Sequence, residues 1–288
     1  VKLNLSKVRE LVKRALEEDI RSGDATTRAL IPAKSRAKAK LISKGFGTVA
    51  GMDVAMICFE VMDRKIKFRV KVKDGGRAYP GRVLAAISGP SAAMLSAERT
   101  ALNFLQRMSG IATTTRAFAK KVRFRKTRIL ATRKTAPGLR ELDKYSVEVG
   151  GGSAHRMGLH DAVLIKENHV ASVGSVRKAV SLARRNAPPT MSIEVEASSL
   201  KEVGEAISAG ANTILLDNMN LLSMRRAVQM VKKHNEKLGV PQASILTEAS
   251  GGINLKNVAR VARTGVDSIS IGALTHSPKA LDMSLKFS

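Results

Sequence analysis

The chain has no tryptophan, and aromatic residues make up only 3% of it. That is too few for the row of rings on which single-strand nucleic-acid binders stack their bases. Cysteine is reduced to Cys58 alone, so neither a disulfide framework nor a cysteine-based zinc site can form within one chain. Cys58 lies in the apolar run MDVAMICFEVM and reads as a buried thiol that packs as a small hydrophobe. No apolar run approaches the roughly 18 to 20 residues that a membrane span needs. The opening VKLNLSKVRELVKRALEED alternates charged with apolar residues and builds no signal-peptide core, so the expected setting is the cytoplasm. Acidic residues are also scarce: 24 Asp and Glu face 50 Lys and Arg, a net charge of +26. Such an excess raises nucleic acid as a partner. The shortage of rings and the even spread of charge argue against it as the principal one, and point instead to a basic surface with a polyanionic substrate.

What is present is enough for a large core: 288 residues, 44% of them hydrophobic, which allows one large or two ordinary domains. Val8, Leu11, Val12, Ala15 and Leu16 recur at helical spacing, so residues 7–18 are expected to form an amphipathic helix with Ser6 as candidate cap. DIRSGDATTRALIP is turn chemistry. Residues 35–43 and 46–50 read as extended, with a helix over 52–62 between them and IKFRVKVK. There Ile66, Phe68, Val70 and Val72 alternate with Lys67, Arg69, Lys71 and Lys73, the period-two pattern of a half-buried antiparallel strand. RVLAAIS is a further strand. The first hundred residues thus read as a helix-and-antiparallel-sheet unit. A long helix is expected over 91–108, with Leu95, Leu102 and Leu105 on one face. Arg99 falls in that stripe at helical spacing, where a guanidinium needs an anion, either Glu98 or a group on another chain.

From about residue 110 helices alternate with short apolar runs: RILAT (128–132), AVLIK (162–166), MSIEV (191–195), TILLD (213–217), SILTE (244–248) and SISIG (268–272). Continuous Val/Ile/Leu runs belong to strands covered on both faces, so the economical architecture is a parallel barrel or a doubly wound sheet. Pro137 suits the first turn of a helix after Thr135, and Gly210 and Gly265 suit helix C-caps.

The runs end on polar residues, and in a barrel the C-terminal edge of the strands carries the site. Between Leu130 and His169, Arg133, Lys134, His155, Arg156 and Lys166 stand at the ends of apolar runs, with a triple glycine among them. No acidic pair in this stretch can neutralise them all, and Arg forks and Lys charges are natural ligands for carboxylate and phosphate. Glu196 and Asp217 follow the next runs. They read either as Mg²⁺ or sugar-hydroxyl contacts or as ion-pair partners of Lys166 or Arg133. His155 is open to three readings: acid, base or neutral hydrogen-bond donor. The loops EASGGIN and IGALTH offer backbone N–H groups to a phosphate where barrels usually bind one, after the last two strands.

Several segments together carry a resemblance: AERTALNFLQRMSGIATTT (97–115), TRKTAPGLR (132–140), KYSVEVGGGSAHRMGLHDAVLIKENH (144–169), IEVE (193–196), LLDN (215–218), EASGGI (248–253) and GVDSISIGALTHSPKALDMSL (265–285). They resemble the quinolinate phosphoribosyltransferases, and EDIRSGDATT fits as well. The resemblance implies an α/β protein with an N-terminal α+β sandwich-like domain over 1–108, rejoined by 276–288. It implies an open, incomplete α/β barrel of about six parallel strands over 109–275. It implies transfer of phosphoribosyl from phosphoribosyl pyrophosphate (PRPP) to quinolinate with decarboxylation, giving nicotinate mononucleotide. Mg²⁺ enters with PRPP, and a homodimer, or a higher oligomer built from it, supplies Arg99 to the neighbouring site. By motif, Thr132, Arg133, Lys134, His155 and Arg156, with Arg99, resemble the quinolinate pocket. Lys166, Glu196 and Asp217 resemble the groups that handle ribose and Mg²⁺-pyrophosphate, with Glu196 and Asp217 as metal contacts. Ser250, Gly251, Gly252, Gly272, Ala273 and His276 resemble the 5-phosphate loops. Ala131, Ala154 and Glu167 stand where relatives more often carry Asp, Asn and Asp. A molybdenum-transport-associated relative of the same fold is the alternative within the class, and a basic nucleic-acid-binding protein the alternative outside it.

Overall fold

The structure is a computed structural model that describes residues 2–239 and 244–288. It divides into two compact units. The first comprises the chain up to Arg116, Ala136–Gly151 and Leu274–Ser288, and the second comprises Ala117–Thr135 and Gly152–Ala273. Among the described residues no helix is long and apolar enough to cross a membrane.

The first unit opens with α1 (Leu5–Ile20), which buries Val8, Val12 and Leu16. Its cap is Asn4, whose side chain accepts from the Lys7 N–H, while Ser6 donates to Asn4 rather than capping the helix itself. The turn-rich stretch that follows holds a short α2 (Ala25–Leu30), capped by Asp24 through the N–H and hydroxyl of Thr27. Then come β1 (Arg36–Ser43), β2 (Gly47–Thr48), α3 (Met52–Met62), β3 (Lys67–Val70), β4 (Arg77–Ala78), β5 (Val83–Pro90) and the 32-residue α4 (Ser91–Val122). Later in the chain are α5 (Arg140–Val149) and β12 (Met283–Phe287).

The main sheet has the order β12-β1-β5-β3, all antiparallel. Its apolar face, with Ala39, Leu41, Ala85, Ile87, Met283 and Leu285, joins one core with Val8 and Val12 of α1, Ile57 and Phe59 of α3, and Met94, Leu105 and Met108 of α4. Cys58 is fully buried there, and burial pushes its thiol up to about 12.

The divisions differ from a break at 108/109. Asp143, completely buried on α5, accepts both Arg107 Nε and Arg107 Nη2 of α4 at 2.9 and 2.8 Å, and Arg107 also donates to the Thr275 carbonyl. A buried bidentate pair of this kind ties α5 and the chain near Thr275 to α4, so 109–116 and 136–151 belong with the first unit. Nor does Pro137 open a helix. It lies in a turn closed by the Leu139 N–H on the Ala136 carbonyl, with Gly138 at φ +76°, and α5 starts at Arg140.

In the second unit β6 (Arg128–Leu130), β7 (Val163–Ile165), β8 (Ile193–Ala197), β9 (Thr213–Asp217), β10 (Leu246–Ser250) and β11 (Ser268–Ser270) form one parallel sheet of order β6-β11-β10-β9-β8-β7. The first strand pairs with the last and the remainder follow in sequence, which is the order of a sheet rolled into an open barrel. Connections are made by α6 (Glu167–Val173), α7 (Val176–Asn186), α8 (Leu200–Ser208), α9 (Leu221–Leu238) and α10 (Val258–Ala262), and a single turn, α11 (Ala273–His276), follows β11. Gly210 and Gly265 take φ of +77° and +94° just past α8 and α10, the left-handed geometry of a helix end.

Gly110 lies within α4, and a Cβ there would stand 2.1 Å from the Lys279 carbonyl oxygen. Helix propensity alone would favour Gly110→Ala by about 1 kcal/mol, but a backbone carbonyl cannot yield as a side chain can. The substitution is expected to lower Tm by several degrees, a net loss on the order of 1–2 kcal/mol, read by thermal denaturation. An unchanged or raised Tm would mean that residues 279–280 do not lie against this helix.

Candidate active site

On β8, Ile193, Val195 and Ala197 are buried together, so Glu194 and Glu196 share the opposite face by the period of two. On β10, Thr247 and Ala249 pack outward and Glu248 lies on the other face with Ser250. Glu194 and Glu248 are 6% and 2% exposed. These carboxylates face the polar side of the sheet, and their burial demands partners.

The partner is His155, whose Nε2 stands 3.0 Å from Glu194 Oε2 and 3.6 Å from Glu248 Oε2. The imidazole is thereby held between two acids, a placement compatible with all three sequence readings. The triple glycine explains how His155 arrives there. Ser153 pairs in parallel with Leu130, donating to the Ile129 carbonyl and accepting from the Ala131 N–H. The segment therefore occupies the edge of β6 away from β11, and the next two residues enter the site. Burial, and then the charge of Glu194, push Glu248 up to about 7, against the opposing pull of His155, Ser270 and Ser268.

Arg156 follows, with Nη1 on the Ala162 carbonyl at 3.1 Å. Its own loop is tied by Asp161, which accepts from Met157 and Gly158 N–H groups. Burial works against the ionised Asp161, but those N–H groups hold its pKa below the usual value. Burial and then the like charge of Arg133 lower the pKa of Arg156, with Glu194 and Asp161 opposing. Arg133 and Arg156 thus face one another across the site. Arg133 Nε, Glu194 Oε1 and Glu248 Oε1 are buried without a hydrogen-bond partner among the described residues. Thr132 accepts the Lys134 N–H at 3.0 Å.

Lys166 directly follows β7 as the N-cap of α6, where its N–H donates to His169 Nδ1 at 2.9 Å. Its Nζ reaches Glu196 Oε2 at 3.0 Å, so the ion-pair reading of Glu196 is the one present. The pair is half exposed and contributes little to stability. Asp217 ends β9 and accepts from Asn218 Nδ2 at 2.8 Å, and the Asn218 N–H donates to the Ser250 carbonyl. Gly251 and Gly252 are both left-handed, at φ +92° and +62°, and a Cβ on Gly251 would lie 2.0 Å from Asn218 Oδ1. Only glycine fits that turn. Gly272 and Ala273 follow β11. The single turn of α11 is too short for a substantial macrodipole, so this loop can offer N–H groups but little helix potential.

Thr132, Arg133, Lys134, His155, Arg156, Lys166, Glu196, Asp217, Ser250, Gly251, Gly252, Gly272 and Ala273 therefore belong to the second unit, at or just beyond strand ends, whereas Arg99 and His276 belong to the first. Arg99 is exposed, and Leu95 beside it is only half-buried. The buried face of α4 is instead Met94, Ala97, Ala101, Leu102, Leu105 and Met108, so Arg99 has water around it in this chain and needs no buried anion. The stretch Leu130–His169 is also less uncompensated than its own residues suggest, because β8 and β10 bring Glu194 and Glu248 to it. Glu194 was not among the expected site residues, and Glu248 entered only as the first residue of the loop after its strand. The signal for Glu194 was present, an acid in the middle of an apolar run and two residues from Glu196. The ligand atoms of His155, Glu194 and Glu248 lie within 4.8 Å of one another and form a set able to hold a cation. Glu196 and Asp217, the expected Mg²⁺ contacts, are not part of that set.

A rolled parallel sheet with cations at the C-terminal ends of its strands, and glycine-bearing loops after the last two, defines an α/β-barrel enzyme that handles phosphorylated, anionic substrates. The chain belongs to the quinolinate phosphoribosyl transferase family. Residues 24–109 match the family's N-terminal domain, described as quinolinate phosphoribosyl transferase, N-terminal domain, and residues 111–286 match its C-terminal domain. The chain is similar to nicotinate-nucleotide pyrophosphorylase [carboxylating] of Mycobacterium leprae, with 42% identity over 280 residues that cover 96% of each chain. It is 40% identical over 286 residues to quinolinate phosphoribosyltransferase [decarboxylating] 1 of Nicotiana glauca, covering 96% of this chain and 81% of that one. Among solved structures, NadC from Streptococcus pyogenes superposes with a TM-score of 0.93 at 37% identity, covering 100% of this chain and 99% of the other.

Glu248 gives the site a signature in stability. A carboxyl whose folded pKa of about 7 exceeds its ordinary 4.5 binds its proton more tightly in the folded state. The stability this lends is complete below about pH 4.5 and is lost as pH rises toward 7. Glu248→Gln, which keeps the neutral form at all pH, is expected to leave Tm nearly unchanged at pH 5 and to raise it by a few degrees at pH 8. Equal shifts at both pH values would show that Glu248 is ionised throughout.

Proposed function

We propose that this chain transfers the phosphoribosyl group of PRPP to quinolinate and releases pyrophosphate and CO₂, leaving nicotinate mononucleotide. Family membership supports the reaction. One observation supports the placing of the pyridine: Arg133 Nε is buried with no acceptor among the described residues, within electrostatic reach of Arg156. A charged donor left unsatisfied is costly, and a substrate carboxylate supplies what it lacks. Thr132 and Lys134 flank that position.

In this reading the ring nitrogen of quinolinate attacks the anomeric carbon of PRPP as the bond to pyrophosphate breaks, and positive charge develops on the ribose. Glu196 and Asp217, facing that sugar, stabilise the developing charge, and Lys166 neutralises the leaving pyrophosphate. Mg²⁺ arrives with PRPP as part of the substrate. Two carboxylates beside a phosphate chain are the donor set that a hydrated Mg²⁺ accepts, and Glu196 and Asp217 would meet it. Ser250, Gly251, Gly252, Gly272 and Ala273 hold the 5-phosphate. Once the nitrogen is quaternary, the bond from ring carbon 2 to its carboxylate breaks. CO₂ leaves, the electron pair stays on the ring carbon beside the cationic nitrogen, and a proton is then taken up there. Much of the acceleration comes from holding two mutually repelling anions in reacting geometry. The active form is a homodimer in the cytoplasm in which Arg99, exposed on its own chain, completes the neighbour's quinolinate pocket.

Arg133→Ala is expected to raise the quinolinate KM about 10- to 100-fold, the loss of one charged hydrogen-bond partner, with a much smaller effect on the PRPP KM. Glu196→Gln is expected to lower kcat by on the order of 100-fold with quinolinate binding retained. Steady-state assays of CO₂ and nicotinate mononucleotide separate the two, and normal quinolinate binding by the Arg133 variant would remove the pocket from this place. At quinolinate well below the raised KM, where Arg99→Ala and Arg133→Ala chains are each nearly inactive, the two should recover about a quarter of parental activity when mixed and allowed to exchange subunits. Mixtures that stay inactive despite exchange would mean that Arg99 serves its own chain.

A further inference from the structure

The site accounts for only part of the basic excess. The four strands of the first unit's main sheet carry no Asp or Glu at all. One face of that sheet is covered by helices, and the other is exposed and basic. Strand register shows which side chains share that face. Lys286, Lys40, Ala86 and Arg69 form one row across β12, β1, β5 and β3, while Lys38, Ser88 and Lys67 form the next, with Arg36 opposite Pro90 beyond. All six cations are exposed, and none takes part in a salt bridge among the described residues.

Cations on edge strands are a common guard against strand addition, which accounts for Lys67, Arg69 and Lys286. It does not account for Lys38 and Lys40, because β1 lies inside the sheet. The small residues Ala86 and Ser88 leave a shallow floor along β5 with basic rows on both sides. Those rows are about 9 to 10 Å apart, two interstrand spacings, and successive cations along each row are about 7 Å apart.

We infer that this face binds the phosphate backbone of single-stranded nucleic acid, which lies along β5 between the Lys38/Lys40 row and the Lys67/Arg69 row. A second copy of the face is excluded by like charge, since a two-fold contact would set these cations against themselves. An anionic membrane fits less well, because none of the exposed large apolar side chains among the described residues lies in these rows to enter the lipid. No ring lies on it either, so binding is of the backbone, indifferent to base sequence and steeply dependent on salt. The scarcity of aromatics that argues against base stacking leaves this mode open.

The test uses the full-length chain and a fluorescently labelled 20-nucleotide single-stranded DNA of mixed sequence, titrated by anisotropy from low to moderate salt. A variant with Lys38, Lys40, Lys67 and Arg69 all changed to Gln is expected to bind at least 10-fold more weakly. The slope of log K against log salt should fall by about 2 to 3, close to 0.7 per lost phosphate contact. A control with Lys178, Arg185, Lys233 and Lys237 changed to Gln removes the same charge elsewhere and should lose less than about threefold. Retained phosphoribosyl transfer in both variants shows that they fold. Equal losses in the two variants, no DNA binding by the parent, or capture by phosphatidylserine vesicles without DNA binding would each overturn the inference.

Discussion

Every strand of the parallel sheet must satisfy two opposite neighbours at once, and this constraint governs the second unit. One face packs under helices and tolerates only apolar side chains. The other turns toward the enclosed side, where the site needs charge. A period of two delivers both, as in β8, where Ile193, Val195 and Ala197 go one way and Glu194 and Glu196 the other. An acid so placed would be costly alone. It persists because the β6 edge captures Ser153 and thereby brings His155 between Glu194 and Glu248. The backbone pairing of a glycine-rich segment and the electrostatics of the site are therefore one event.

Local pattern made much of this legible. The βα repeat, the helix over 52–62 and the run TILLD emerge where expected because propensity and burial agree there. Periodicity does not report pairing between distant segments. The return of the C-terminal segment to the first unit came from family resemblance, its pairing with β1 did not, and the return of 136–151 rests on the Arg107–Asp143 bond, which no local pattern announces. Arg99 shows the converse error. A helical stripe drawn through Leu95, Arg99 and Leu102 is sound geometry, but the buried face runs through Met94, Ala97, Ala101, Leu102, Leu105 and Met108 and leaves Arg99 outside it. Glu194 was overlooked because an acid inside an apolar run looks like a solvent-facing position, whereas a rolled parallel sheet has no solvent face of that kind.

The charge count around the site bears on how it works. Arg133, Lys134, Arg156 and Lys166, with the imidazole of His155, are answered by Glu194, Glu196, Asp217 and Glu248, so four fixed cations meet four acids, one of which is about half ionised at pH 7. The excess in one chain is small beside the charge of a dicarboxylate and a pyrophosphate ester together. In the proposed reading the remainder must come from groups that join only when the site is in use, namely the neighbour's Arg99 and the Mg²⁺ that accompanies PRPP. A site nearly balanced at rest avoids holding a cluster of unpaired cations in a partly buried place. In that reading a substrate carboxylate supplies the acceptor that Arg133 Nε lacks among the described residues and takes the place of a resident acid beside His155. In the proposed reading selectivity follows from geometry rather than from surplus charge: anions are abundant, but a pair of adjacent carboxylates matches Arg133, His155 and Arg156 better than a single one does.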